Sequence, residues 1–262
     1  AATAAAERGD GAVAEARARE ALALKTGADW PFTSLFDLQV SRGKWSAALE
    51  TLAIGEKRGL IKGDSLRRRR AVLLTAEAAT MSGDLRQQAQ RTLADAIRAA
   101  PGFPPAAWHG ARHLMVDGKV KAAESVLLMA WKARPHPALA QLARRLDPNG
   151  TPEDIQKRLS VLSDGNPDHR ESRILKAEIA IDEQDWVGAV KALALLVEEK
   201  PTARLCLLME RALKGYGDAG EAERWARMAA TASREAVWSD IAPRGGAFNY
   251  DRSDWSRLVY AF

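Results

Sequence analysis

The sequence predicts an all-α protein, an array of antiparallel helix hairpins. Three observations predict it. The strong helix formers Ala, Leu, Arg, Glu and Lys dominate its 262 residues, and β-branched residues are sparse. A short polar turn recurs along the chain. A small residue follows that turn at a fixed distance.

The stretch "DEQDWVGAVKALALLVEEKP", residues 182–201, shows the unit. Ala189, Leu193, Leu196 and Val197 fall on one helical face at i, i+4, i+7 and i+8. Asp185 stands where a cap accepts a hydrogen bond from the first free amides. Pro201 stops the helix, because it lacks an N–H and crowds the preceding turn. The apolar face then needs a partner helix, and Ile174 to Ile181 supplies a candidate.

The turn has relatives at Gly9-Asp10, Gly43-Lys44, Gly83-Asp84, Gly118-Lys119, Gln184-Asp185 and Gly217-Asp218. Most lie one period of 33 to 40 residues apart; from 118 to 184 there is room for two, which places a hidden turn between residues 145 and 155. Five residues past the turn stand Ala14, Ala48, Ala123, Ala189 and Ala222, and the turn at Gly83 misses by one, with Gln88 there and Ala89 next. Pro101, Pro135 and Pro201 close three of the units. A period near 34 with small residues at helix crossings resembles the tetratricopeptide repeat. That resemblance implies a right-handed solenoid of about six or seven hairpins, residues 1–240, and a binding role rather than catalysis. Residues 241–262 form a separate tail rich in aromatic side chains, either capping the last hairpin or serving as a docking peptide.

Other features narrow the class. Cys206 is the single cysteine, so no intramolecular disulfide forms, and its leucine neighbours make it a core residue. No run of 18 apolar residues exists. The chain opens without Met in mid-pattern, as expected of a soluble fragment of a longer protein. The net charge of +5 is uneven: residues 1–150 hold 23 Lys and Arg against 15 Asp and Glu, whereas residues 151–262 hold 16 against 19. A basic front half suits anionic lipid or an acidic protein partner. Nucleic acid is not expected, since neither zinc-finger spacing nor an RNP-like aromatic segment occurs.

Three groups of residues are candidates for a site. His109 and His113 in "WHGARHLM" share a helix face, a workable spacing for haem contacts, against the plain reading of packed or surface histidines. A protease zinc site is excluded, because Gly110 rather than Glu follows His109. Arg67, Arg68, Arg69 and Arg70 follow a helix start capped by Asp64 or Ser65; four successive arginines surround the helix, so at least one stem must lie over apolar surface. They read as a solvated face or as a dock for membrane or an acidic partner. Trp45, Trp186 and Trp225 sit at or after repeat turns and read as inter-helix packing. His136 and His169, beside prolines, read as turn residues. Gly9-x-Gly11-x-x-Ala14 matches a dinucleotide pattern only formally, because no strand precedes it. No catalytic constellation and no metal-ligand set emerges.

One resemblance is more specific. "RPHPALAQLARRL" (134–146), "NPDHRESRILKAEIAIDEQDW" (166–186), "PTARLCLLMERALKGYGD" (201–218) and "AERWARMAATASREAVW" (222–238) occur in an order similar to the C-terminal part of the HemY family. The similarity covers about residues 80–240. It implies the repeat domain of a bacterial inner-membrane protein associated with haem biosynthesis, on the cytoplasmic side, tethered by N-terminal helices that precede this segment. It implies a non-enzymatic scaffold with haem-pathway enzymes as partners, or alternatively a haem or porphyrin carrier using His109 and His113. The tail, "RGGAFNYDRSDWSRLVYAF", departs from the proline-rich ending of many members.

Overall fold

The computed structural model describes residues 11–24, 29–235 and 246–261. The turn at Gly9-Asp10 lies outside the described residues, as do positions 241–245 of the tail and Phe262. Fourteen α-helices and one 3-10 turn account for the described secondary structure; the described residues contain no strand, only an isolated bridge between Thr202 and Ser233. The chain divides into two compact units, one of residues 1–106 with 250–262, the other of residues 107–249.

In the first unit, α1 (Gly11–Ala23), α2 (Trp30–Ser41), α3 (Trp45–Lys57), α4 (Gly63–Thr80) and α5 (Arg86–Ala99) pack each on the next. The last helix of the chain, α14 (Arg252–Tyr260), packs on α2 and α4. The boundary between the units falls inside α6 (Pro104–Val116). The second unit continues with α7 (Val120–Ala133), α8 (Pro137–Arg144), α9 (Pro152–Asp164), α10 (Arg170–Asp182), α11 (Trp186–Glu199), α12 (Ala203–Tyr216) and α13 (Ala219–Thr231). From α7 to α13 successive helices again pack pairwise. The protein is thus all-α, each unit a helical-repeat arrangement in which successive helices pack on one another.

The recurring turn has a backbone cause. Gly43, Gly83, Gly118, Gln184 and Gly217 all carry a left-handed φ, between 58° and 98°. Each reverses the chain between the two helices of a hairpin. Glycine takes that conformation without a Cβ clash, which is why it recurs; Gln184 is the exception. The alanine five residues on is the contact point: Ala14, Ala48, Ala123 and Ala189 are fully buried and Ala222 nearly so. The miss at the Gly83 turn also has a cause. A 3-10 turn, Gly83–Leu85, precedes α5, so the helix starts late and Ala89 rather than Gln88 is buried. The hidden turn falls at residues 145–151, after the short α8.

The residues 182–201 fold as read. Asp185 Oδ1 accepts from the Gly188 amide at 2.9 Å. Ala189, Leu193, Leu196 and Val197 face Ile174, Ala177 and Ile181 of α10 and Leu205, Met209 and Ala212 of α12 in one apolar core. Two expectations need correction. Neither Asp64 nor Ser65 caps α4: the helix begins at Gly63 after Lys62, and Asp64, already in the first turn, pairs with Arg67. The tail's described helix, α14, belongs to the first unit rather than to the last hairpin. Its apolar residues Trp255 and Val259 are buried against α2 and α4 at the start of the array.

Candidate functional site

In the second unit, α8, α10 and α12 are the first helices of successive hairpins, and their side chains build a charged groove. His136 and His169 start two of them. Each Nδ1 accepts from the backbone amide two residues on, at 3.2 Å from Ala138 and 3.1 Å from Glu171. These caps fix where α8 and α10 begin. Thr202 caps α12 through its hydroxyl.

Arg204 on α12 is the hub. Its guanidinium donates to Glu171 at 2.6 Å and to Glu178 at 2.7 Å, both on α10. A third carboxylate, Glu235, stands 3.7 Å away and accepts from the Thr202 hydroxyl at 2.9 Å. Arg204 and Glu171 are almost fully buried. One guanidinium cannot neutralise three carboxylates in such a place. Burial, aided by the like charges of Glu178 and Glu235, outweighs Arg204 and pushes the Glu171 carboxyl up to about 7.

The same chemistry continues outward. Arg144 on α8 bonds both Glu178, at 3.2 Å, and Asp182. Arg211 reaches Asp182 at 3.3 Å and is the more exposed partner. Together with Pro137, Ala140, Gln141 and Leu208, these groups line a groove of about 360 Å³. Its lining combines the cations Arg144, Arg204 and Arg211, the carboxylates Glu178 and Asp182, and apolar side chains. Such a surface offers ion-pairing groups of both signs. Among the described residues no group of three or more His, Cys, Asp or Glu is placed to hold a metal ion. Sequence reading missed this groove. The available signal was spacing: Glu171, Glu178 and Asp182 lie at i, i+7 and i+11, and Arg204 and Arg211 at i and i+7.

The residues singled out from sequence lie elsewhere. His109 packs edge-on against Trp108, with ring centroids 5.0 Å apart, and hydrogen-bonds the Phe248 backbone. Phe248, itself buried, also contacts Trp108 and His136. Burial lowers the His109 pKa to about 4, so the ring is neutral. His113 lies one turn on and is half-buried. Haem ligation needs an open imidazole nitrogen, whereas Nε2 of His109 is enclosed by protein. His109 therefore offers no open nitrogen in this arrangement.

The four arginines take three different positions. Arg67 pairs with Asp64 and is exposed, and Arg70 pairs with Glu56. The guanidinium of Arg68 lies 4.7 Å from the Phe103 ring centre. That of Arg69 lies 5.5 Å from the Phe36 ring centre and 5.4 Å from that of Tyr260. Trp45 is buried at the start of α3; Trp186 and Trp225 pack against the α10–α12 core, with Trp186 lying over Gly215. Cys206 is fully buried on α12.

No protein-family profile matches the chain. A probable magnetosome protein, Mms48 of Magnetospirillum gryphiswaldense, is 27% identical over 206 residues, 78% of this chain and 46% of that protein. The chain thus spans about half the length of the curated relative it matches. A tetratricopeptide repeat protein from Parabacteroides merdae, known from a crystal structure, aligns over 99% of this chain and 96% of its own at 14% identity, with a TM-score of 0.38. No helix among the described residues is long and apolar enough to cross a membrane.

Proposed function

We propose that this chain is a non-enzymatic interaction scaffold, part of a longer membrane-associated protein, that grips a protein partner in the groove of α8, α10 and α12. One observation carries the reading. Arg144, Arg204 and Arg211 face Glu178 and Asp182 across a groove whose geometry is fixed by helix caps and a buried ionic hub. Charges held in place by such a hub cost little ordering entropy when a partner docks. Ion pairs at the rim exchange for intermolecular ones at small net cost, and they set orientation and partner choice.

The finer assignment rests on resemblance. The segments that resemble the HemY family support a place beside haem-pathway enzymes at the bacterial inner membrane. The similarity to Mms48, a probable magnetosome protein, supports a second setting for the same scaffold, the magnetosome. The test is photo-cross-linking in cells from Gln141, inside the groove, with Glu223, on the exposed face of α13, as control. A protein captured from Gln141, absent from Glu223 and lost in Arg211→Glu, is the expected result. Haem-pathway enzymes among the captured proteins support the finer assignment. Equal capture from both positions removes the groove as the recognition surface.

A further inference from the structure

Helix α8 is shorter than its counterparts. It has eight residues, whereas α10 and α12, the first helices of the next two hairpins, have 13 and 14. At 1.5 Å per residue it stops about 8 Å early. Past Ala143, near its end, a cavity of about 710 Å³ opens between α7 and α9. That volume lies in the range of small-molecule sites. The cavity shares no lining residue with the charged groove. We infer that it binds a single-chain amphiphile with an anionic head, of which a fatty acid is the simplest.

The polar lining has donors to spare and its acceptors are taken. Arg158 of α9 is only 10% exposed. Its Nε donates to Glu124 of α7 at 2.6 Å and its Nη1 to the Ala143 carbonyl at 3.2 Å, so one guanidinium ties three helices. Its Nη2 has no partner among the described residues. The carboxylates are engaged: Glu124 by Arg158, Asp154 by the Thr151 amide and hydroxyl, and Asp147 by the Asn149 amide. Lys121 and Lys157 line the same cavity, are exposed, and form no ion pair among the described residues. A fixed guanidinium with an open N–H, flanked by two mobile ammonium groups, favours a charged acceptor.

The apolar lining fits a single chain. Val120, Leu127, Leu128, Val161 and Leu162 face the cavity, and Val161 is left 50% exposed. A second hollow, of about 500 Å³, shares Ser125 and Leu128 with the first and continues to Met129 and Lys132. Residues 121, 125, 128, 129 and 132 lie on one face of α7, so the two hollows form a strip roughly 16 Å long. Met129, 43% exposed, offers a pliable apolar contact towards the far end. Lys132 lays its stem beside Gly165 there. An extended alkyl chain along this strip covers Leu128, Met129 and Val161 while its head meets Arg158, Lys121 and Lys157.

The experiment titrates the full chain with dansylaminoundecanoate, a fluorescent fatty acid, below its micelle threshold. A saturable one-site gain in fluorescence is expected. Decanoate reverses it, and decanol, whose head is neutral, competes at least about tenfold less well. Val161→Asp, and separately Lys121→Glu with Lys157→Glu, each weaken binding at least about tenfold. Val187→Asp on α11, at a position 47% exposed, leaves binding unchanged and controls for general surface adsorption. These positions are exposed, so helical circular dichroism stays that of wild type; should Val161→Asp lose helicity, the lysine pair decides. Binding that does not saturate, or that is equal in all variants, overturns the proposal. Equal competition by decanol overturns the anionic head, and a loss confined to Val187→Asp places the probe elsewhere and overturns the site.

Discussion

Arg69 and Tyr260 meet from distant parts of the sequence: the guanidinium carbon lies 5.4 Å from the phenol ring centre and 5.5 Å from that of Phe36, which touches Tyr260 edge-on. A guanidinium placed against two adjoining rings gains both cation–π attraction and the burial of its stem. Replacing Arg69 by Ala is expected to destabilise the first unit by about 1–2 kcal/mol. Arg67→Ala, at an exposed pair, is expected to change stability by less than about 0.5 kcal/mol. Urea unfolding of the two variants compares them directly, and equal losses would remove the ring contacts as the cause.

The Arg204 hub predicts a pH dependence. The Glu171 carboxyl has an ordinary value of 4.5 and is raised to about 7 in the fold. The folded state therefore holds this proton more tightly than the unfolded chain. That contribution is complete below about pH 4.5 and is lost as pH rises through about 7. Glu171→Gln removes the titration, so its stability relative to wild type is expected to rise between pH 5 and 8. A pH-independent difference would show that Glu171 does not titrate in this range. Arg204→Ala, which strands buried carboxylates, is expected to cost roughly 3–5 kcal/mol.

His109 predicts the opposite slope. Its pKa falls from 6.5 to about 4 on burial, so the fold favours the neutral ring. Stability from this group is fully present above about pH 6.5 and is lost as pH falls through about 4. His109→Gln is expected to unfold less steeply with acid than wild type. The enclosed Nε2 carries a second expectation: haem titration gives no saturable Soret change that depends on His109. A saturating change abolished by His109→Ala and His113→Ala would restore the haem-carrier reading.

Gly215 and Trp186 test the packing between hairpins. A Cβ on Gly215 would lie 2.6 Å from the indole, which the α10–α12 core holds in place. Gly215→Ala is expected to cost about 1–3 kcal/mol through overpacking. In a double-mutant cycle, Trp186→Leu is expected to recover much of that loss. Additive losses would show that the ring does not oppose the new methyl group.

Local rules made most of the array legible. Asp185, Pro201 and the stripe Ala189, Leu193, Leu196 and Val197 each act within one or two helical turns, and helix α11 followed. The turn glycines recurred because the hairpin turns at Gly43, Gly83, Gly118 and Gly217 use the left-handed backbone they supply. The candidate groove was less legible. Glu171, Glu178, Asp182 and Arg204 each look like ordinary solvated charges in sequence. Only the stacking of α8, α10 and α12 brings them within bonding distance and buries Arg204. His109 and His113 had a plausible haem spacing, but spacing says nothing of what covers a nitrogen, and Phe248 covers one. The arginine run implied that a stem must lie over apolar surface; which arginine, and over which ring, depended on partners far along the chain.

The sequence by itself determined the helices, their turns and the hairpin period, because these follow from backbone geometry and hydrophobic spacing over a few residues. Tertiary structure alone decided where α14 lies, which charges are buried together and which histidine is enclosed. Those outcomes depend on surfaces contributed by residues dozens to hundreds of positions apart, and burial, unlike periodicity, has no local signature.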